Sequence, residues 1–393
     1  MAPAPAPRTS PNAASEVEAA RRLRPLIEAA AADTEARGAL PSDLVDALRR
    51  ERLFQMMLPR SLGGLETNPI DACRAIEEVA LADGSTGWCV MLAAQSASFA
   101  GYLPEADALE VWAGGGAVAG VARPIGRAVA TPEPRDGWVV SGRWPFASGS
   151  SHATWFAGEC VVYDGDTPRS RGGEEETRMV FVPRDQVTVH QTWDTLGLRG
   201  TASHDFSIEG AFVPSSRGFR MLHTAPLHPW ALYRAQPLVF VTHGSHAIGV
   251  ARGALEAARA VIVERRGYGG MLLRDVPRLQ ALLAEATALV ESARHWLYDS
   301  AEALWQATLA GDTDATLLRS RTRLATSHAA NASVRAVDLL HGALATAAIG
   351  RGSPLERRFR DIHTAAAHVM IGPLTYEAAG RVELGLEPGM PFF

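Results

Sequence analysis

Apolar spacing changes character twice along this chain, and that double change restricts the fold to three segments in a fixed order. From Ser15 to about Gly116 apolar residues recur at helical spacing. From Ala117 to about Met221 short β-branched and aromatic runs, such as Trp138-Val139-Val140 and Met179-Val180-Phe181-Val182, alternate with Gly, Pro and Asp turns. After Pro229 helical spacing returns and predicts helices over 237–266, 276–309, 314–349 and 355–386. Long helices with short connections predict an antiparallel four-helix bundle. The expected fold is mainly α with a central β-domain: a disordered tail over 1–14, an N-terminal helical domain over 15–116, a β-barrel or sandwich over 117–225, and a C-terminal four-helix bundle over 226–393. The polar stretch from Asp164 to Thr177 is expected to be a mobile hairpin loop.

Local signals support the helical segments. Ser15 and Glu18 form a capping-box pattern before Val17, Leu23, Leu26 and Ile27. Pro41-Ser42 opens a helix carrying Leu44, Val45 and Leu48. Asn68-Pro69 is a cap followed by a first-turn proline, with Ile70, Cys73, Ile76 and Val79 behind it. Asp83-Gly84-Ser85 breaks the chain before an apolar helix over Thr86–Ala100.

Composition removes several function classes. With 393 residues, 47% apolar content and a net charge of -5, the chain can bury a large core and lacks the basic footprint of a nucleic-acid binder. All 38 residues counted as Lys or Arg are Arg, so no lysine can hold a phosphate in a P-loop, form a Schiff base or act as a base. Cys73, Cys89 and Cys160 are too scattered for a disulfide framework or a cysteine zinc site, and they suit a reducing cytoplasm. No apolar run is long enough for a membrane helix. His363 and His368 sit about 140° apart around a helix and cannot chelate one ion together. Gly-x-Ser-x-Gly, zinc-hydrolase and Rossmann patterns are missing, and no metal site is expected.

The segment from Gly137 to Gly149 carries Trp144, Phe146, Ser148 and Gly149 together. That combination suits a flat aromatic ligand, with rings beside it, a hydroxyl to bond it and a glycine where its edge meets the backbone. A second wall is expected from the helix containing Arg360-Asp361-Ile362-His363-Thr364-Ala365-Ala366-Ala367-His368. On a continuous helix Arg360, Thr364 and His368 share one face.

Three ordered segments, Gly137–Ser148, Leu196–Ser203 and Pro354–Asp361, resemble the acyl-CoA dehydrogenase superfamily. The resemblance covers nearly all of the chain after the tail. It implies a flavin enzyme with the helical, β, four-helix order described above, usually a homotetramer. Many dehydrogenases carry a catalytic glutamate about two helical turns after the Arg-Asp pair. Here that place falls on His368-Val369, and Glu377 comes about two turns too late. A histidine at this place is similar to the flavin-dependent monooxygenases of the same fold.

That branch implies the oxygenase component of a two-component enzyme. Reduced flavin, FMN or FAD, would come from a separate flavin reductase and react with O2. The resulting C4a-hydroperoxide would hydroxylate an aromatic or polycyclic small molecule. Ser148 matches the serine near flavin N5, and His368 matches the histidine beside the peroxide. Trp144, Phe146, Ser148 and Gly149 are the expected cofactor contacts. A pocket histidine common in relatives is missing, and Gln95 is the nearest polar residue. Gln95, Arg123 and Arg234 are the expected substrate contacts, the two arginines suiting an anionic substrate. Three alternatives stay open: N- or S-oxygenation, acyl-CoA dehydrogenase-type chemistry, and a catalytically idle flavin-binding protein of this fold.

Overall fold

The computed structural model describes residues 13–132, 134–312, 315–390 and 393. The chain opens with α1 (Ala13–Arg37), α2 (Ser42–Arg50), α3 (Pro69–Ala82), α4 (Gly84–Ala97) and α5 (Glu105–Val111). Asn68 accepts a hydrogen bond from the Ile70 N–H at 2.9 Å, with Pro69 in the first turn of α3. Asp83 accepts from the Thr86 N–H at 2.8 Å and starts α4. Both caps satisfy donors that a helix start otherwise leaves bare. α1 already includes Ala13, ahead of the start that Ser15 suggested. The remainder of the expected tail lies outside the described residues.

The central segment holds β1 (Val118–Ala130), β2 (Gly137–Ala147), β3 (Trp155–Asp164), β4 (Thr167–Pro168), β5 (Ser170–Arg171), β6 (Glu174–Glu175), β7 (Thr177–Pro183), β8 (Thr188–His190), β9 (His204–Pro214) and β10 (Gly218–Phe219). They form one mixed sheet in the order β10-β7-β3-β1-β2-β9-β8, with β4 beside β3 and a separate β5–β6 ribbon. Strands β1, β2, β3, β7 and β9 enclose one common core of Ala128, Val140, Trp144, Phe156, Val180 and Phe206, as expected of the central β-domain. The expected loop after Asp164 instead folds into the small strands β4 to β6. The Arg169 guanidinium grips the Asp164 carboxylate at its base.

The C-terminal segment holds α6 (Pro237–Glu264), α7 (Pro277–Leu309), α8 (Thr316–Leu344), α9 (Pro354–Ala366) and α10 (Leu374–Glu383). The single helix predicted over 355–386 is two helices. The chain leaves α9 after Ala366, makes a tight turn over Val369–Ile371 and re-enters helix after Gly372-Pro373. Proline lacks the N–H that would continue the ladder and pushes its predecessor out of helical geometry. Asp314, the expected start of the third bundle helix, lies outside the described residues.

Leu238, Val241, Ile248, Leu297, Leu304, Val337 and Leu340 fill the bundle core. Ionic contacts tie the bundle to the N-terminal helices. Buried Glu77 on α3 pairs with Arg252 on α6 and Arg294 on α7, and accepts from the Tyr298 hydroxyl at 2.6 Å. Arg358 on α9 donates to the Leu81 and Ala82 carbonyls at the end of α3, where bare helix carbonyls favour a cation. No described helix is long and apolar enough to cross a membrane.

Candidate active site

The three segments that carry the family resemblance meet in space. Gly197 lies against α9 so closely that an added Cβ would come within 2.1 Å of the Arg360 carbonyl oxygen. Glycine is the side chain that fits there. The Gly197 N–H donates to Thr364 Oγ1 at 2.9 Å, and the Leu198 N–H donates to Asp361 Oδ1 at 2.6 Å. Burial pushes the Asp361 carboxyl up to about 7, with the neighbouring Asp83 adding to the shift. From this docked loop, Thr201 and Ser203 reach the end of β2. The Gly149 N–H donates to the Thr201 carbonyl at 2.8 Å, and Gly149 has a φ of +80°, the left-handed region that favours glycine.

A one-way chain of hydroxyls results. Thr201 Oγ1 donates to the Leu198 carbonyl at 2.9 Å, so it must accept from Ser203, 2.6 Å away. Ser203 must then accept from Ser148, also at 2.6 Å. Trp88 of α4 donates its indole N–H to Ser148 Oγ at 3.1 Å. Each hydroxyl has one proton and two lone pairs. Ser148, half-buried, is left with one free acceptor position.

Trp88 also gathers three histidines. Its ring meets His243, His246 and His368 edge-on at centroid distances of 5.7, 5.2 and 5.6 Å. His368 stacks on His243 at 4.6 Å. The Met370 N–H donates to His368 Nδ1 at 3.3 Å, so the neutral ring keeps its proton on Nε2. Gln95 Nε2 lies 3.2 Å from His243 Nδ1 and 2.6 Å from Thr242 Oγ1. His243 Nε2 has no hydrogen-bond partner, although the residue is 2% exposed. Burial lowers the pKa of His368 to about 4, with Arg323 adding to the effect. Burial also drives His243 well down, helped by His368 and Arg323. Both rings are therefore neutral at pH 7.

Several expected contacts fall elsewhere. Trp144 is not a ligand wall: it is 0% exposed inside the sheet. Its indole N–H donates to the Glu159 carbonyl at 2.9 Å, and its ring stacks on Phe206 at 4.9 Å. Gly126, Gly142 and Gly158 form its slot, since a Cβ on each would come within 2.0, 2.8 and 2.7 Å of the ring. Phe146 takes the opposite course. A register break between Trp144 and Ala147 gives it a φ of 67° and turns it outward, 66% exposed, against Trp193.

Arg123 is exposed in the bulge of β1 and does not join the cluster. Arg234 is exposed and donates to the Thr308 carbonyl at the end of α7. Arg360, Thr364 and His368 do not share a face, because α9 has ended before His368. Arg360 pairs with Glu35 and Glu356, while His368 turns to Trp88. Trp88, Ser203, His243, His246 and Arg323 were not among the expected site residues.

Ser148, Trp88 and His368 thus form one contiguous cluster. Exposed apolar residues sit beside it: Phe146 next to the Ser148 turn, Val369 next to His368, and Leu196 in the docked loop. Exposed apolar side chains beside convergent polar groups mark a ligand site. None of the groups that bond or stack in this cluster is a carboxylate; Glu377 lies exposed on α10. Among the described residues no group of three or more His, Cys, Asp or Glu side chains could hold a metal ion.

Comparisons with known proteins agree with this geometry. Residues 17–103 match the model of the acyl-CoA dehydrogenase N-terminal domain, and 241–373 match that of the C-terminal domain. An indole-3-acetate monooxygenase of Pseudomonas putida is 31% identical over 352 residues, covering 88% of this chain and 87% of the relative. The oxygenase component of an FADH2-dependent resorcinol hydroxylase from Rhizobium sp. is 28% identical, with 92% of each chain covered. The solved structure of XiaF from Streptomyces sp., in complex with FADH2 and glycerol, superposes with a TM-score of 0.86 at 26% identity, covering 96% of this chain and 97% of that one. The chain belongs to the acyl-CoA dehydrogenase-fold family, in its branch of flavin-dependent monooxygenases.

Proposed function

We infer that this enzyme is the oxygenase component of a two-component monooxygenase that uses reduced flavin and O2 to hydroxylate a small aromatic molecule. The observation that carries the reading is the meeting of Ser148, Trp88 and neutral His368 in a cluster whose bonding and stacking groups include no carboxylate. An acyl-CoA dehydrogenase needs a carboxylate base at that place, and none is there.

The residues fit a flavin. An isoalloxazine ring is flat and apolar with a polar edge, which suits the exposed Phe146 beside the Ser148 hydroxyl and the Gly149 backbone. Bound there, reduced flavin would supply the electrons that activate O2. The free position on Ser148 is an acceptor, so it suits the N5–H of reduced flavin and offers nothing to the bare N5 of oxidised flavin. The His368 Nε2–H donates toward oxygen and exchanges a proton with it, and its neutrality keeps a competing cation out of the cluster. Phe146, Leu196 and Val369 help exclude water once the ring covers them. The flavin is FMN or FAD, and delivery by a separate reductase, a homotetrameric assembly and a cytoplasmic setting complete the reading.

Replacing Ser148 with Ala is expected to weaken binding of reduced flavin by about 10-fold, about 1.4 kcal/mol, and that of oxidised flavin far less. Anaerobic titration with each redox form measures this. Rapid mixing of the reduced-flavin complex with O2 tests the function. A long-lived absorbance transient, together with oxygenated product when an aromatic substrate is present, is expected. Reduction of bound flavin by an acyl-CoA, with no such transient, would overturn the reading.

A further inference from the structure

Arg323 on α8 is 0% exposed, and its Nε, Nη1 and Nη2 all lack a hydrogen-bond partner. Its guanidinium carbon lies 5.2 Å from the centre of the Phe240 ring. Burial pulls its pKa down to about 10, and no carboxylate lies near enough to offset it. A guanidinium carries five N–H donors and cannot satisfy them on an aromatic face. A buried, uncompensated cation is costly and calls for an anionic partner.

Position identifies that partner. The charge of Arg323 is felt by both His368 and His243. Phe240, which carries the guanidinium, lies 6.5 Å from the His243 ring on the same helix, α6. Ser327 is one helical turn beyond Arg323 on the same face of α8, and its Oγ is also buried without a partner. His243 Nε2 is likewise buried without a partner, and its ring stacks on His368 at 4.6 Å.

We infer that Arg323, with Ser327, receives the carboxylate of an aromatic-acid substrate whose ring lies between Phe240 and the His243–His368 pair. This rests on the monooxygenase reading and names its substrate class: a compact monoanionic aryl acid with a short side chain. One guanidinium matches one carboxylate in a two-pronged pairing. The thioester of an acyl-CoA has no carboxylate to place there. The role assigned from sequence to Arg123 and Arg234 passes to Arg323.

The test is calorimetric titration of the full-length enzyme with indole-3-acetate and with its uncharged analogue indole-3-acetamide. The wild type is expected to bind the acid at least 10-fold more tightly than the amide. Arg323→Met is expected to bind the acid about 100-fold more weakly and to lose that preference, while Arg323→Lys keeps part of it. The methionine variant is also expected to melt higher without ligand, since it removes an unpaired buried charge. Equal affinity of the wild type for acid and amide would overturn the proposal, and so would undiminished acid binding by folded Arg323→Met. If Arg323→Met does not fold, the wild-type preference and Arg323→Lys still decide. An oxygen-dependent transient in the wild type without acid preference would overturn this inference alone. Absence of the transient in the wild type would instead remove the function on which it rests.

Discussion

Replacing His368 with Ala is expected to lower coupled product formation by about 10²- to 10⁴-fold while flavin binding changes little. The size follows from losing a positioned proton donor beside the reacting oxygen. The Met370 N–H occupies Nδ1, so the donor is Nε2–H, and the asparagine variant, which keeps an N–H, is expected to recover part of the rate. Because burial holds the pKa of His368 at about 4, its protonation leaves no break in activity near pH 6.5. The checks are product yield per reduced flavin consumed, and hydrogen peroxide as the uncoupled product. Undiminished yield in His368→Ala would remove it from the chemistry. Gln95 acts at one remove, through its contact with His243, which stacks on His368. Gln95→Leu is therefore a positioning change, expected to alter coupling more than flavin affinity.

Acid is expected to destabilise the fold through its buried histidines. His246 is 0% exposed, donates Nε2–H to the Gly84 carbonyl at 2.8 Å, and has its pKa lowered to about 4 by burial. The unfolded chain takes up that proton near pH 6.5. Between pH 6.5 and 4 the unfolded state therefore binds more protons, and stability falls with pH by about 1.4 kcal/mol per unit for each such ring. Over the whole window His246 alone contributes about 3 kcal/mol. His152 behaves likewise, lowered to about 4 by burial and Arg49. Asp361 opposes them: its carboxyl is pushed up to about 7, so its contribution is present at acid pH and is lost as pH rises toward 7. Denaturant melts of the wild type and His246→Gln from pH 4 to 7.5 should give parallel stability curves above pH 6.5. Below it the wild type should carry the steeper loss. Parallel curves through the window would contradict a neutral buried His246.

Much of this was legible in the sequence, and the exceptions have physical causes. Asn68 and Asp83 announced their helices because a cap is a local interaction. The helical, β, helical order followed from periodicity, which reports burial directly. The structure brings Ser148 and His368 together through Trp88, which no local pattern marked. Trp144 and Phe146 seemed equivalent because strand parity puts both on one face, and the register break between Trp144 and Ala147 undoes that parity. The break before His368 was written in Gly372-Pro373 but was outweighed by the helical run of alanines.

Arg323 was missed because it sits among Arg319 and Arg321 and resembles a solvated stripe. A partial signal lay on the C-terminal side, where Thr326, Ser327 and Ala330 on its helix face are small and uncharged.

The site is proposed to transfer one atom of O2 to an aromatic substrate. Turnover under 18O2 with reduced flavin and indole-3-acetate, followed by mass spectrometry of the product, tests it most directly. The account predicts one 18O atom per hydroxylated product, with yield collapsing in His368→Ala. A product carrying only solvent oxygen, or O2 consumption that ends entirely in hydrogen peroxide, would contradict it.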